Sequence, residues 1–286
     1  MIRFNQMIRT CLLSLTLLLA MLPLPAAAQD QESSGRNVMI GTGVQWVPVY
    51  PGADANRITF LPLVDTWRVG EPMTPESPDE AFGFAVLGER NKGIAVGPAL
   101  TFAPGRKAED LPGLPELGFG MEAGVFADAW PLKSLRLRAE LRQGLGAHKA
   151  LTGDLAGDYV WRRGKEGAIL TVGPRLRWGS AKYNRAYYGV PAGGAGGFTA
   201  YQPGSGIYAV GAAAGLRLPL NRTFGLYTYV GYDRLVGDAK DSPIVQAGKP
   251  DQFSAGLALT YRFRLYRRAR KNARSISPAS SSPMPE

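Results

Sequence analysis

The chain has 286 residues, with 33 Lys and Arg against 23 Asp and Glu, one Cys and one His. The lone Cys11 excludes an internal disulfide and a thiolate metal centre, and the lone His148 leaves histidine-based zinc chemistry without ligands. The excess positive charge is not general: six of the basic residues and one acid lie beyond Phe263, two more basics lie before residue 28, and the body between carries 25 basic against 22 acidic residues. That balance gives no reason to expect a nucleic-acid partner.

In chain order, the first element is an export leader. Arg3 and Arg9 precede the apolar run "CLLSLTLLLAMLPLP" (Cys11 to Pro25), and Ala26 and Ala28 frame an A-x-A cleavage site. Residues 1–28 therefore read as a cleaved signal peptide, 29–263 as the folded body, and 264–286 as a basic, Ser- and Pro-rich tail without means of building a core. Through the body the dominant signal is period two. In "SLRLRAELRQ", Leu135, Leu137, Ala139 and Leu141 take one face and Arg136, Arg138, Glu140 and Arg142 the other, a separation that a strand makes and a helix does not. The same alternation marks residues 38–46, 58–67, 81–87, 94–102, 117–125, 155–161, 168–178, 208–218, 224–232 and 253–263, which makes eleven candidate strands.

The off-face residues choose between a sandwich and a barrel. A sandwich turns its polar face to water. A membrane barrel turns its apolar face to lipid and keeps small and polar residues inside. Gly, Ala, Ser, Thr and Arg fill the second face here, and Trp46, Trp67, Trp130, Trp161 and Trp178 fall near segment ends, where an interfacial girdle belongs. Short connections alternate with long ones at 103–116, 144–152, 179–206 and 236–252. The expected fold is all-β: a transmembrane, antiparallel, up-and-down barrel in the outer membrane. Eleven strands cannot close with both termini on one side, so the expectation is twelve, with an unrecognised strand between Arg57 and Glu80, or ten, with the first segment outside the wall.

Four stretches carry a family resemblance: "GTGVQWVPVYPGAD" (Gly41 to Asp54), "LRQGLGAHKAL" (Leu141 to Leu151), "GPRLRWGSAKYNRAYYGV" (Gly173 to Val190) and "YDRLVGDAKDSPIV" (Tyr232 to Val245). They resemble the MipA/OmpV outer-membrane proteins of Gram-negative bacteria. The most specific part is the last, with Arg234, Gly237, Asp238, Asp241, Ser242 and Pro243. The resemblance implies an outer-membrane barrel with no catalytic motif and no cofactor. One member of the family is described as a scaffold between a murein lytic transglycosylase and a bifunctional penicillin-binding synthase, and others are linked to osmotic adaptation or adhesion. Membrane lipid, lipopolysaccharide and the barrel-assembly machinery follow as partners. Such chains end at a terminal aromatic, whereas this one continues past Phe263.

The candidate chemistry is sparse. Asp238 and Asp241 sit in a Gly-, Ser- and Pro-rich loop, where aspartates fix turns by accepting from nearby amides; with Asp233 they also form the sole candidate for a divalent cation. His148 lies in a loop without a nucleophile elbow and reads as a hydrogen-bonding residue. The Gly-rich run 189–197 reads as a loop. The inward cluster Arg136, Arg138, Arg142, Arg175, Arg177 and Arg262 has two readings. Either Glu140, Asp158 and Asp233 pair with it, because a buried charge needs a partner, or it favours anions in a narrow pore. Three functions thus stand: murein-enzyme scaffold, solute pore and surface adhesin.

Overall fold

In the computed structural model, residues 35–266 are described. Strand β1 (Gly35–Pro48) rises, β2 (Asn56–Arg68) descends, and two short strands follow, β3 (Phe82–Gly83) and β4 (Leu87–Glu89). Then β5 (Lys92–Ala103), β6 (Gly120–Leu132), β7 (Leu135–Gly144), β8 (Leu151–Arg162), β9 (Ile169–Gly179), β10 (Gly206–Pro219), β11 (Phe224–Leu235) and β12 (Asp251–Tyr266) alternate up and down. All twelve belong to one sheet of order β2-β1-β12-β11-β10-β9-β8-β7-β6-β5-β3, with β4 also on β5. The first and last strands pair antiparallel from Gly35↔Tyr266 to Trp46↔Ala255, which curls the sheet into a nearly closed barrel.

Ten of the strands are 10 to 16 residues long, and a tilted strand needs about 9–11 residues to cross the hydrocarbon. The wall alternates as period two requires. Ile58, Phe60, Val44, Val125, Leu137, Leu141, Leu155, Val230, Leu257 and Leu259 are exposed on the outer face, while Arg136, Arg138, Glu140, Asp158, Thr171 and Arg217 are buried inside. An apolar outer belt around a polar interior is the chemistry of a barrel solvated by lipid. Both ends of the described chain, with the short turns 133–134, 163–168 and 220–223, lie at one end, which is periplasmic by that pattern. The loops 49–55, 104–119, 145–150, 180–205 and 236–250, three of them much longer than any of those turns, lie at the other.

Beyond β2, the expected additional strand between Arg57 and Glu80 is not there. The first segment is in the wall as β1, and the twelfth strand is β4, at Leu87–Glu89. Parity is restored by a strap, residues 69–81, that climbs inside the barrel. Met73 N–H donates to the carbonyl of Lys165 in a periplasmic turn, Pro75 accepts from Arg136 near the base of β7, and Ala81 meets Arg138 and Glu140 halfway up. From there β3 and β4 descend along β5. Pro72, Pro75 and Pro78 explain why this stretch makes no ladder, since proline has no N–H to give one. Among the described residues no backbone ladder joins β2 to β3 or β4, so the wall has one seam between strands that both run downward.

Two further expectations shift. The last strand runs on to Tyr266 rather than ending at Phe263, because Leu265 continues the outward set and Arg264, Leu265 and Tyr266 pair with Asn37, Arg36 and Gly35. Trp67 and Trp130 are not part of an interfacial girdle. Trp67 is buried with Met39, Met73, Val160 and Ile169, and Trp130 packs on that cluster and donates from Nε1 to the Arg90 carbonyl at 3.0 Å. Trp46 and Trp161 do face outward and are exposed. The leader with Ala26 and Ala28, and the tail beyond Tyr266, lie outside the described residues.

Candidate functional site

The interior is filled at three heights. At the periplasmic base, the apolar cluster around Trp67 closes the mouth. Arg162 reaches from it to the Met73 carbonyl and, at 2.7 Å, to Asn91 Oδ1, which ties the foot of the strap to the wall.

The middle is ionic. Period two on β7 aims Arg136, Arg138, Glu140 and Arg142 inward, and β9 does the same for Arg175 and Arg177. The strap supplies Glu76, Asp79 and Glu80. Arg136 bonds Asp158 at 3.0 Å, Ser77 at 3.1 Å, the Pro75 carbonyl at 2.8 Å, and Glu80. Arg138 bonds Asp128 at 3.0 Å and Glu140 at 2.6 Å, and its guanidinium lies 4.1 Å from the Phe126 ring centroid. Arg142 takes Glu122 at 2.8 Å, with Glu140 and Asp154. Arg175 takes Asp79 and Asp158, both at 2.9 Å. Arg177 takes Asp79 at 2.7 Å and Asp233 at 3.0 Å. Arg217 on β10 takes Asp65 at 2.7 Å and Glu76, and Arg90 holds Glu80 at 2.9 Å.

Seven arginines thus face ten carboxylates: Asp65, Glu76, Asp79, Glu80, Glu122, Asp128, Glu140, Asp154, Asp158 and Asp233. Each of these seven has at least one carboxylate, so none of them is left over to draw an anion through. A cavity of about 20 Å³ lined by Asp79, Glu80, Arg138, Glu140, Asp154 and Arg175 has room for one water and no more. Arg262 stands apart from this cluster. It lies at the periplasmic rim, donating to the Arg222 carbonyl at 3.0 Å and reaching Glu166 at 3.4 Å.

The outer end is closed by aromatic packing. Helix α1 (Ala181–Tyr188) starts at Ser180, whose hydroxyl accepts from the Tyr183 N–H. It buries Tyr183, Tyr187 and Tyr188 against Tyr208, Leu117, Ala150, Leu235 and Val245. Ring centroids lie 4.8 Å apart for Tyr183 and Tyr187 and 5.1 Å for Tyr183 and Tyr208, within the range where aromatic pairs attract. Burial pushes the phenols of Tyr183 and Tyr188 well above their usual range, and that of Tyr187 upward as well. His148 is buried beneath them. Its Nε2 lies 3.0 Å from Glu122, its Nδ1 accepts from the Ala150 N–H, and its ring meets Tyr183 edge-on at 5.0 Å.

The loop motif of "YDRLVGDAKDSPIV" fastens this lid. It forms helices α2 (Gly237–Asp241) and α3 (Pro243–Gln246). Gly237 adopts φ +53, a left-handed value open to glycine. Asp238 Oδ2 accepts from the Gly204 N–H at 2.6 Å, and its carbonyl accepts from the Tyr201 hydroxyl at 2.9 Å. Ser242 caps α3 by accepting from the Ile244 N–H, and donates to the Tyr188 carbonyl at 2.7 Å. Pro243 occupies the first turn of α3, where no N–H is needed. Arg234 pairs with Asp251 at 2.7 Å on the surface, and the Asp241 carbonyl accepts from Gln246. Asp233 is committed to Arg177, away from Asp238, so these aspartates do not converge. Among the described residues no group of three or more His, Cys, Asp or Glu is placed to hold a metal ion. The run 189–197 contributes Val190 and Ala195 to the lid's second apolar cluster.

The strap carboxylates and Arg217 were missed by sequence reading. The one available signal was charge: "PMTPESPDE" brings three acids to a stretch whose prolines bar it from the wall. A family model described as MltA-interacting protein MipA matches residues 40–263. No curated protein matches the chain. Similar solved structures include a bacterial polysaccharide outer membrane secretin (11% identity, 82% of this chain and 100% of that one, TM-score 0.35). OmpT of Vibrio cholerae is similar at 7% identity, over 83% and 100%, with a TM-score of 0.33. The CymD monoaromatic hydrocarbon channel is similar at 9% identity, over 83% and 90%, with a TM-score of 0.34. Likenesses this distant say nothing of the chain's role.

Proposed function

The chain belongs to the family of MltA-interacting protein MipA, and from that premise we propose that this outer-membrane barrel is a non-conducting, non-enzymatic scaffold that holds a murein lytic transglycosylase, and with it a bifunctional penicillin-binding synthase, at its periplasmic end. One observation carries the reading: the lumen is filled from base to lid, by the Trp67 cluster, by the arginine–carboxylate network and by the tyrosines of α1. A wall filled in this way, with no nucleophile beside its one histidine among the described residues, has its surfaces left to work with. The family description names an interaction rather than a reaction, which supports the same view.

Affinity capture from cross-linked cells tests the proposal, with planar-bilayer recording of the purified barrel beside it. A murein transglycosylase in the captured fraction and no steady conductance is the expected result. Capture without any murein hydrolase or synthase, together with ion conductance, would replace the scaffold with a pore. Loss of cell-surface attachment on deletion of 189–200, with no murein enzyme captured, would replace it with an adhesin.

A further inference from the structure

At the periplasmic end, β1 and β2 bring two arginines into register. Arg36 stands directly opposite Arg68. Both lie on the outward column of the wall and both are exposed. Opposed residues on neighbouring strands hold their Cβ atoms about 4.5–5.5 Å apart, and like charges there repel. Among the described residues neither arginine has a carboxylate within salt-bridge distance, and Arg36 donates instead to the Thr66 hydroxyl at 3.2 Å. The seven arginines of the ionic layer each have a carboxylate, and Arg162 and Arg106 are held by main-chain carbonyls, whereas this outward pair faces its own like charge.

The surroundings say what would relieve the repulsion. Above the pair the outward columns turn apolar, with exposed Ile40 on β1 and half-buried Val64 on β2. Beside it, Leu265 is opposite Arg36 and is exposed. The patch is cationic at headgroup depth and apolar toward the bilayer centre.

We propose that Arg36 and Arg68 together bind the phosphate of an anionic phospholipid in the periplasmic leaflet, whose acyl chains lie along Ile40 and Val64. Guanidinium groups match phosphate oxygens in a planar fork, and one phosphate between two of them turns a repulsion into two attractions. The assignment is to a lipid and not to free phosphate because the pair points outward into the bilayer, with the apolar column directly above it.

Native mass spectrometry of the full-length barrel, titrated in detergent with phosphatidylglycerol or phosphatidylcholine, tests this. One phosphatidylglycerol should bind in preference to phosphatidylcholine, and R36Q/R68Q should weaken that site by roughly 30-fold, as expected for losing two basic contacts near an anionic surface. K133Q/R222Q removes the same charge from two periplasmic turns and should leave the site unchanged. R36E converts the repelling pair into an ion pair; it should abolish the preference while raising the unfolding temperature in lipid-free detergent. Heat-dependent gel mobility verifies that each variant is folded. Equal binding of the two lipids, or equal losses in R36Q/R68Q and K133Q/R222Q, would overturn the proposal. So would competition by millimolar inorganic phosphate as effective as that of the lipid, since the acyl chains would then contribute nothing.

Discussion

The middle of the lumen and the outer lid fill the same barrel by opposite means. In the middle, Arg136 reaches the strap through the Glu80 charge and Arg138 through the Ala81 carbonyl, each side chain held by three or more oxygens. In the lid, Tyr183, Tyr187 and Tyr188 are held by neighbouring rings and by main-chain carbonyls and amides. The ionic layer gains little net stability from its pairs, because removing charges from water costs about as much as pairing them returns. What it sets is registry: each strap carboxylate has a particular arginine to meet. The lid depends on area and fit, so its losses come in smaller steps. A barrel closed in these two ways should fail abruptly in the middle and gradually at the top.

The sharpest way to break that contrast is to strip the strap of charge. In E76Q/D79N/E80Q, Arg90, Arg136, Arg175, Arg177 and Arg217 each lose at least one partner. Breaking a buried pair from one side costs about 3–5 kcal/mol, more than a strap lacking strand pairing can hold against. The strap should leave the lumen while the wall stays laddered. Planar-bilayer recording should then show conductance absent from the parent chain, and protease should cut between 69 and 81. A variant that stays closed and uncut would mean that the Trp67 cluster, not the ion pairs, holds the strap.

How much of this was legible in the sequence differs between the two regions in the same way. The outer face of the wall could be read because period two is local: Leu137 and Leu141 declare it within one strand. The inward arginines could be read too, and Glu140, Asp158 and Asp233 are among the partners they find. The strap could not, because its contacts are distant in sequence. Asp79 meets Arg177 across 98 residues and Glu80 meets Arg136 across 56. Its prolines mark it as something other than a strand but do not say that it turns inward. The lid was legible as a resemblance only. Nothing in "DSPIV" by itself tells that Ser242 reaches the Tyr188 carbonyl, because that bond depends on where two loops meet.

A smaller test follows for the lid. Ser242→Ala removes both the cap of α3 and the bond to Tyr188 O. Loss of a helix cap costs typically about 1 kcal/mol, and the lid carbonyl is left to find another donor. The expected outcome is faster proteolysis within 236–250 at unchanged wall stability, read by heat-dependent gel mobility. Asp241→Ala, which leaves the carbonyl that Gln246 uses, should do neither. If both variants behave alike, the motif acts through its overall loop shape rather than through Ser242.

The smallest effect is a pH response confined to the lid. Burial raises the phenols of Tyr183, Tyr187 and Tyr188, which means that the folded lid holds their protons more tightly than an open one does. A raised folded-state value contributes stability that is fully present below the unfolded tyrosine value of about 10 and is lost as pH rises above it. These three phenols should therefore add no pH dependence below about 9, and their loss of protons should loosen the lid only in strong alkali. Tyrosinate absorbance should show it: in the parent chain these phenols ionise late and in step with lid opening, whereas in Ser242→Ala the same rise should begin at lower pH. Early ionisation of these phenols in the parent chain, with the lid still resistant to protease, would mean that water already reaches the rings, and the picture of an outer end sealed by aromatic packing would fail.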